Sequence, residues 1–233
     1  MFYDLHMHSC LSPCADDDMT PNNICNMAML KGLELIALTD HNSCKQLPAL
    51  DKVASNLPLH VLYGSEIQTQ EEVHVLGIFD ELSKTTQLQK YLDDKMPNIQ
   101  NDEDYFGHQY VMNEKDEVIE KEDRLLLVSI DATIEEVVDK IHSFGGKVII
   151  AHVMDRLNSI TTQLGFIPDG LDYDGLEIKT LDQKEKVIET HPWISEDSTY
   201  WFIDSDAHRL IDISEADHAL EKHIANELWG DHL

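Results

Sequence analysis

Two histidines stand two residues apart in Asp4-Leu5-His6-Met7-His8. On a strand, residues i and i+2 leave from the same face, and two neutral imidazoles on one face can share a metal ion. Such an ion needs further ligands, which the rest of the chain must supply. Suitable side chains recur as Asp40-His41, Glu66, His74, His152, Asp206 and His208, and the first loop adds Asp16. His6, His8, His41, His74, His152 and His208 offer nitrogen; Asp16, Glu66 and Asp206 offer charge against dications. A glutamate carboxylate can bridge two ions, and Glu66, after Gly64-Ser65, is the best placed to do so. Two or three ions a few ångströms apart would hold a hydroxide at neutral pH and clamp a phosphoryl oxygen for in-line attack. The sequence contains no glycine-rich phosphate loop, Ser-His nucleophile motif or dinucleotide fingerprint that competes with this chemistry.

These residues need elements to carry them. Residues 2–6 read as a buried strand, followed by a loop from Ser9 to Met19 with the acidic triplet Asp16-Asp17-Asp18. Thr20-Pro21 starts a helix, Thr as N-cap and Pro in the first turn, and Gly32 ends it. Strands follow at 33–38, at 60–63 and at 72–79, with a helix over about 43–55 and another over 81–94. Thr133 caps a helix closed by Gly145-Gly146. Strands at 148–152, 175–178 and 201–204 come next, and Ser214 caps a last amphipathic helix through Leu228. Residues 97–126 break the pattern. This polar stretch, with a hairpin from 110–112 to 118–119, reads as an insertion, having too few apolar residues for a core of its own. About seven strands alternating with helices predict a parallel sheet, which a chain of this size can close into a barrel. His6, His8, Asp40, His41, Glu66, His152, Asp206 and His208 fall at or just past the C-terminal ends of predicted strands, the edge where parallel α/β folds build sites.

The chain has 233 residues, 42% of them hydrophobic, which suits one folded domain. It carries 45 acidic against 17 basic residues, a formal charge of −28. Such a field repels polyphosphates, so long nucleic acid and anionic membranes are expected to be excluded as partners. No apolar run reaches the length of a membrane span and the first residues do not form a signal peptide, so a cytoplasmic protein is expected. Cys10, Cys14, Cys25 and Cys44 then read as reduced thiols. Cys10 and Cys14 flank the site loop as soft metal ligands or as ordinary buried thiols.

Taken in order, His6-Met7-His8, Thr39-Asp40-His41-Asn42, Gly64-Ser65-Glu66, His74, Ala151-His152 and Asp204-Ser205-Asp206-Ala207-His208 resemble the motifs of the PHP (polymerase and histidinol phosphatase) superfamily. The resemblance runs from residue 4 to 208. It implies an α/β fold, a distorted seven-stranded (β/α)7 TIM-like barrel, with two or three divalent metal ions (Zn, Mn or Fe) and phosphoester hydrolysis. Residue by residue it implies one ion on His6, His8, Glu66 and Asp206, and a second on Glu66, His74 and His152. A third would take His41, His208 and a first-loop ligand. Many relatives place that ligand soon after the His-x-His motif. Here the loop is longer, and counting back from Thr20-Pro21 favours Asp16.

Glu66, Asp40 and Arg156 are the expected catalytic set. Glu66 bridges ions, Asp40 orients an imidazole from behind, and Arg156 clamps a phosphate bidentately. Lys179 and Arg209 are further phosphate-binding candidates. His60, His108, His142, His191, His218, His223 and His232 are expected on the surface or in packing. Tyr105, Phe106 and Tyr110 either cover the site or pack the hairpin. The expected substrate is a small phosphomonoester, a nucleotide or a short oligonucleotide. Two other readings stay open: a metal-dependent hydrolase of a non-phosphate bond, and a metal-bearing module without turnover. Oligomeric state is not legible.

Overall fold

The computed structural model describes residues 1–155, 157–195 and 199–230, so Arg156 and His232 lie outside the described residues. In chain order the elements are β1 (Tyr3–Asp4), α1 (Pro21–Leu30), β2 (Leu35–Leu38), α2 (Leu47–Ala54), β3 (His60–Gln68), β4 (His74–Phe79) and α3 (Leu82–Lys95). Then follow α4 (Glu103–Phe106), β5 (Tyr110–Met112), β6 (Val118–Lys121), α5 (Ile134–Ser143), β7 (Lys147–Ile150) and α6 (Ile160–Gln163). Last come β8 (Gly175–Glu177), α7 (Leu181–Thr190), β9 (Tyr200–Phe202), a 3₁₀ turn (Leu210–Asp212) and α8 (Lys222–Trp229).

Seven strands form one curled sheet in the order β1-β2-β3-β4-β7-β8-β9. This is a distorted TIM-like barrel. A single parallel bridge, Met7 to Ala207, joins the two ends of the sheet. Side chains reinforce the seam: Leu5 N–H donates to Asp204 Oδ1 at 2.6 Å and Ser205 Oγ to Asp4 Oδ2 at 2.6 Å. The sheet is not wholly parallel, as the alternation of strands and helices had predicted. β4 runs antiparallel to both β3 and β7. Only the short turn between Gln68 and His74 joins it to β3, too short for the crossover a parallel pair requires. The reversal brings the first residue of β4, His74, to the edge where its neighbours end.

Strand alternation sorts the core into two layers. Leu35 and Ala37 pack inward with Tyr3, Leu5, Leu62, Leu76, Ile78, Ile149 and Phe202, and Ala225, Leu228 and Trp229 of α8 complete that cluster. Ile36, Leu38, Val148, Ile150 and Leu176 face the helices. Each large side chain so buried contributes about 1.5–3 kcal/mol. Gly175 is required by the inner layer, because a Cβ there would meet the Phe202 ring at 2.5 Å.

Local signals place most elements. Thr20 and Thr133 cap α1 and α5, accepting from Asn23 N and Glu136 N. α7 is an unforeseen helix; Val187 is its one buried residue, so it carries almost no amphipathic signal. α8 begins at Lys222, not after Ser214. Ser214 N–H is taken by Asp4 Oδ2 at 2.9 Å, and Leu220 N–H by Met1 O, so this stretch closes the barrel instead of starting a helix. Residues 97–126 contain the separate β5–β6 hairpin. It docks on the first loop and on α2: Tyr110 N–H donates to Cys10 O, and Gln46 bonds both backbone groups of Met112. No helix among the described residues is long and apolar enough to cross a membrane.

Candidate metal centre

Glu66 lies within β3, two residues before its end, and is fully buried. Four imidazoles converge on it. His74 Nδ1 stands 2.7 Å and His152 Nε2 3.1 Å from Oε1; His41 Nδ1 stands 3.0 Å and His8 Nε2 3.3 Å from Oε2. His6 Nε2 is a fifth nitrogen, 3.2 Å from Oε1. Asp206 Oδ1 lies 3.4 Å from His6 Nε2 and 3.2 Å from His8 Nε2. The His8 ring is stacked between those of His41 and His208, at 4.3 Å to each.

Hydrogen bonds behind the rings set their orientation. His6 Nδ1–H donates to Glu177 Oε2 at 2.8 Å. His8 Nδ1 meets Ser12 Oγ at 3.2 Å, while Ser12 donates to Asp40 Oδ1 at 2.7 Å and accepts His41 N–H. Asp40 also takes Ser9 N–H and Oγ–H. It is fully enclosed and reaches the site through Ser12 and His8, not through the neighbouring imidazole of His41. Asn158 bonds His74 twice, at its ring Nε2 and at its backbone N–H. Positive φ angles collect here, at Asn42 (47°), His152 (28°), Asn158 (55°) and Asp206 (52°). Non-glycine residues adopt this region at a cost, and such strain gathers at functional sites.

With their Nδ1 atoms engaged behind, His6 and His8 bring Nε2 atoms to within 3.3 Å of each other. Two lone pairs at that distance need a cation between them. Protons answer this need in the bare protein. Burial opposes a charge on His8, but the carboxylates of Asp206 and Glu66 beside it raise it to about 9. His6 is also raised: burial opposes its charge, and Glu177, Glu66 and Asp206 overcome that. Burial and the charge on His8 push His41 down to about 3, and the same two causes push His208 to about 4. Burial would raise Glu66, yet His74, His6 and His41 hold it well below the usual carboxylate range. Glu66 Oε2 and His152 Nδ1 are buried without a hydrogen-bond partner. Unspent acceptors, nitrogen pairs and carboxylates together are a donor set that fits divalent metal ions.

Among the described residues, three groups have ligand atoms within 4.8 Å of one another: His6, His8, Glu66 and Asp206; His41, Glu66 and His74; and His8, His41 and His208. The first is the set implied by the resemblance. The second has His41 where His152 was implied. The third holds His41 and His208 as implied, with His8 and no carboxylate. Asp16 is in none of them; its side chain is exposed, and its N–H bonds His208 O. A cavity of about 900 Å³ opens over the centre, lined among others by Cys14, Met154, Leu157 and Lys179. Lys179 Nζ pairs with Asp155 Oδ2 at 2.5 Å. Arg209 instead pairs with Asp212, and neither it nor Tyr105, Phe106 or Tyr110 lines the cavity. Among the remaining histidines, His142 holds Asp174 and His108 holds Asp17.

Sequence reasoning did not single out Glu177, Ser12 or Asn158 as site residues. Glu177 had a signal, a carboxylate at the end of a short apolar strand; Ser12 and Asn158 had none.

A curated protein of Methanocaldococcus jannaschii, Uncharacterized protein MJ1587, is 33% identical over 84 residues, which are 33% of this chain and 48% of that protein. A 5'-3' exoribonuclease of Haemophilus influenzae is 30% identical over 101 residues, 40% of this chain and 36% of that enzyme. The matched segments are thus at most about half of those relatives' length. Among solved structures, the lesion-specific endonuclease PfuEndoQ from Pyrococcus furiosus superposes with a TM-score of 0.62 at 21% identity, covering 89% of this chain and 48% of that one. An endonuclease Q complex with a 27-mer duplex gives a TM-score of 0.61 at 20% identity, covering 89% of this chain and 49% of that one.

These likenesses correct one expectation. The acidity of the chain was expected to exclude long nucleic acid, yet an endonuclease Q that shares this fold over about half its length is complexed with a 27-mer duplex, and an exoribonuclease is among the relatives. Net charge sums over a whole surface, whereas a phosphate contact is local. Part of the acidity here, as at Glu114, Glu117 and Glu120, is exposed on the insertion. The PHP domain model matches residues 4–163, over half of the chain and through every motif from His6 to His152. This chain belongs to the PHP domain family.

Proposed function

We propose that this protein is a metal-dependent phosphoester hydrolase acting on a nucleotide or nucleic-acid phosphoester, and that it is a single barrel domain carrying the 97–126 insertion. The observation that carries this reading is the convergence of His6, His8, His41, His74 and His152 on one buried carboxylate, Glu66. Two or three divalent ions, zinc, manganese or iron, would be held by His6, His8, Glu66 and Asp206, by His41, Glu66 and His74 with His152 beside them, and by His8, His41 and His208. Bound there, such ions supply Lewis acidity toward a phosphoryl oxygen and lower the pKa of water.

The chain's own residues do the rest. Glu177 and Ser12 hold the rings of His6 and His8 so that each Nε2 faces Glu66 and Asp206. Lys179 sits on the cavity wall, half exposed, where its ammonium can meet a phosphate once Asp155 releases it. Met154, Leu157 and Leu127 give the same cavity an apolar side that suits a nucleobase or sugar ring.

The test is hydrolysis by the whole chain loaded with zinc, manganese or iron. Substrates would be an aryl phosphate, nucleotides, single-stranded RNA and duplex DNA with an abasic site. His8→Ala or Glu66→Ala should abolish turnover with the circular dichroism of the fold retained; undiminished turnover in either overturns the proposal. A hydrogen bond to a charged group contributes about 1.5–3 kcal/mol, so Lys179→Ala should raise KM roughly tenfold or more.

A further inference from the structure

The three ligand groups differ in charge. The first has two carboxylates, the second has one, and the group of His8, His41 and His208 has none. A dication held by neutral imidazoles alone keeps its full charge in a buried place, which is costly. The carboxylates that the sequence offered for it turn elsewhere: Asp16 is exposed, Asp17 pairs with His108 at 2.9 Å, and Asp18 is exposed.

The first loop nevertheless crosses this group. Ser12 touches the ring of His8 and the backbone of His41. Asp16 N–H donates to His208 O at 2.9 Å. Cys14 lies midway between these two anchors and lines the same cavity as His41, Glu66, Asp206 and His208. A second observation points to a cation here. Glu66 Oε2, in a side chain 1% exposed, has no hydrogen-bond partner and lies 3.0 Å from His41 Nδ1 and 3.3 Å from His8 Nε2.

We propose that Cys14 is the anionic ligand of the ion at His8, His41 and His208, taking the part expected of a loop carboxylate. Cys14 stands beside the group and not within it, on the wall of the shared cavity, so ligation requires its side chain to turn toward the ion. Binding breaks the S–H bond, forms a sulfur–metal bond and releases the proton to solvent. A thiolate with imidazoles selects zinc or ferrous iron over magnesium or manganese. The inference rests on the proposed function only in requiring an ion at this group, not in requiring turnover.

Cobalt(II) reports directly on thiolate ligation through a sulfur-to-metal charge-transfer band in the near ultraviolet. The cobalt-loaded whole chain should show this band, and Cys14→Ser should lose it together with one bound ion. Cys10, Cys25 and Cys44 are buried, so Cys14 is the accessible thiol. In the unaltered protein, zinc should slow its alkylation by about tenfold or more. The same band and stoichiometry in Cys14→Ser, or an alkylation rate indifferent to zinc, overturns the assignment. A band that depends on Cys14 in a protein that hydrolyses no phosphoester supports the ligand and overturns the proposed function.

Discussion

His6 donates its Nδ1–H to Glu177 Oε2 across 2.8 Å, and neither side chain is more than 1% exposed. The bond holds the imidazole in the tautomer whose Nε2 lone pair faces Glu66 and Asp206. A carboxylate behind a metal-binding histidine both orients it and raises its basicity; loss of such a partner commonly lowers metal affinity by about 10- to 100-fold. Glu177→Gln keeps the shape and removes the charge. It is expected to weaken metal binding within that range while the fold persists. A chelator-competition titration measures it, and an affinity within about twofold of the unaltered protein would count against the pairing.

Ser12 joins three site elements through one hydroxyl. It donates to Asp40 and receives His41 N–H and the His8 ring. Ser12→Ala leaves buried polar groups without partners, at about 1–3 kcal/mol. Asp40→Asn breaks the same chain one step back. Because both act on His8 through one path, their effects should not add, and a double-mutant cycle should give a coupling of about 0.5–3 kcal/mol. Denaturant melts of the two single variants and the double variant provide the numbers; strict additivity would rule the relay out.

What the sequence made legible follows from the range of each interaction. His6 and His8 are read from local spacing, and Glu66 and His152 from their place at or near strand ends. Thr20 and Thr133 announce their helices through contacts three residues away. Glu177 shares that strand-end signal, but its role behind His6 is set by a partner 171 residues distant, which no local reading supplies. The direction of β4 escapes it too: alternation along 74–79 is the same for either orientation, and only pairing with β3 and β7 decides. Asp16 was favoured by counting residues, and counting cannot tell that its side chain faces solvent while Cys14 faces the cavity. The whole-chain charge could not exclude nucleic acid, because it averages over the entire surface while a phosphate contact is local.

Protons and metal ions compete for the same nitrogens. His8 is raised from its ordinary 6.5 to about 9, against the cost of burial, by Asp206 and Glu66. Metal affinity should therefore rise as pH climbs through this window. The stability of the metal-free protein should move the other way. A group whose folded pKa is raised contributes fully below its unfolded pKa and loses that contribution as pH passes its folded one. So the His8 contribution is whole below about 6.5 and gone above about 9. Calorimetry of the chelator-treated protein should show Tm falling across that interval, with the metal-loaded protein spared. A metal-free Tm that is level or rising there would contradict this balance of charges.

Gly107 fixes the insertion over the first loop. Its φ is +106°, and a Cβ there would lie 2.1 Å from Pro13 O, one residue before Cys14. Gly107→Ala therefore combines a backbone conformation that side chains avoid with a collision against backbone, and should cost about 1–3 kcal/mol or more. Gly165 separates the two causes. It also has a positive φ, +83°, but a Cβ there meets nothing within 4 Å. Gly165→Ala should lower stability by strain alone. Gly107→Ala should lower it further and, by lifting the hairpin from Pro13, speed alkylation of Cys14. Equal losses of stability in the two variants, with Cys14 reacting at its original rate in both, would mean that the insertion does not hold the loop.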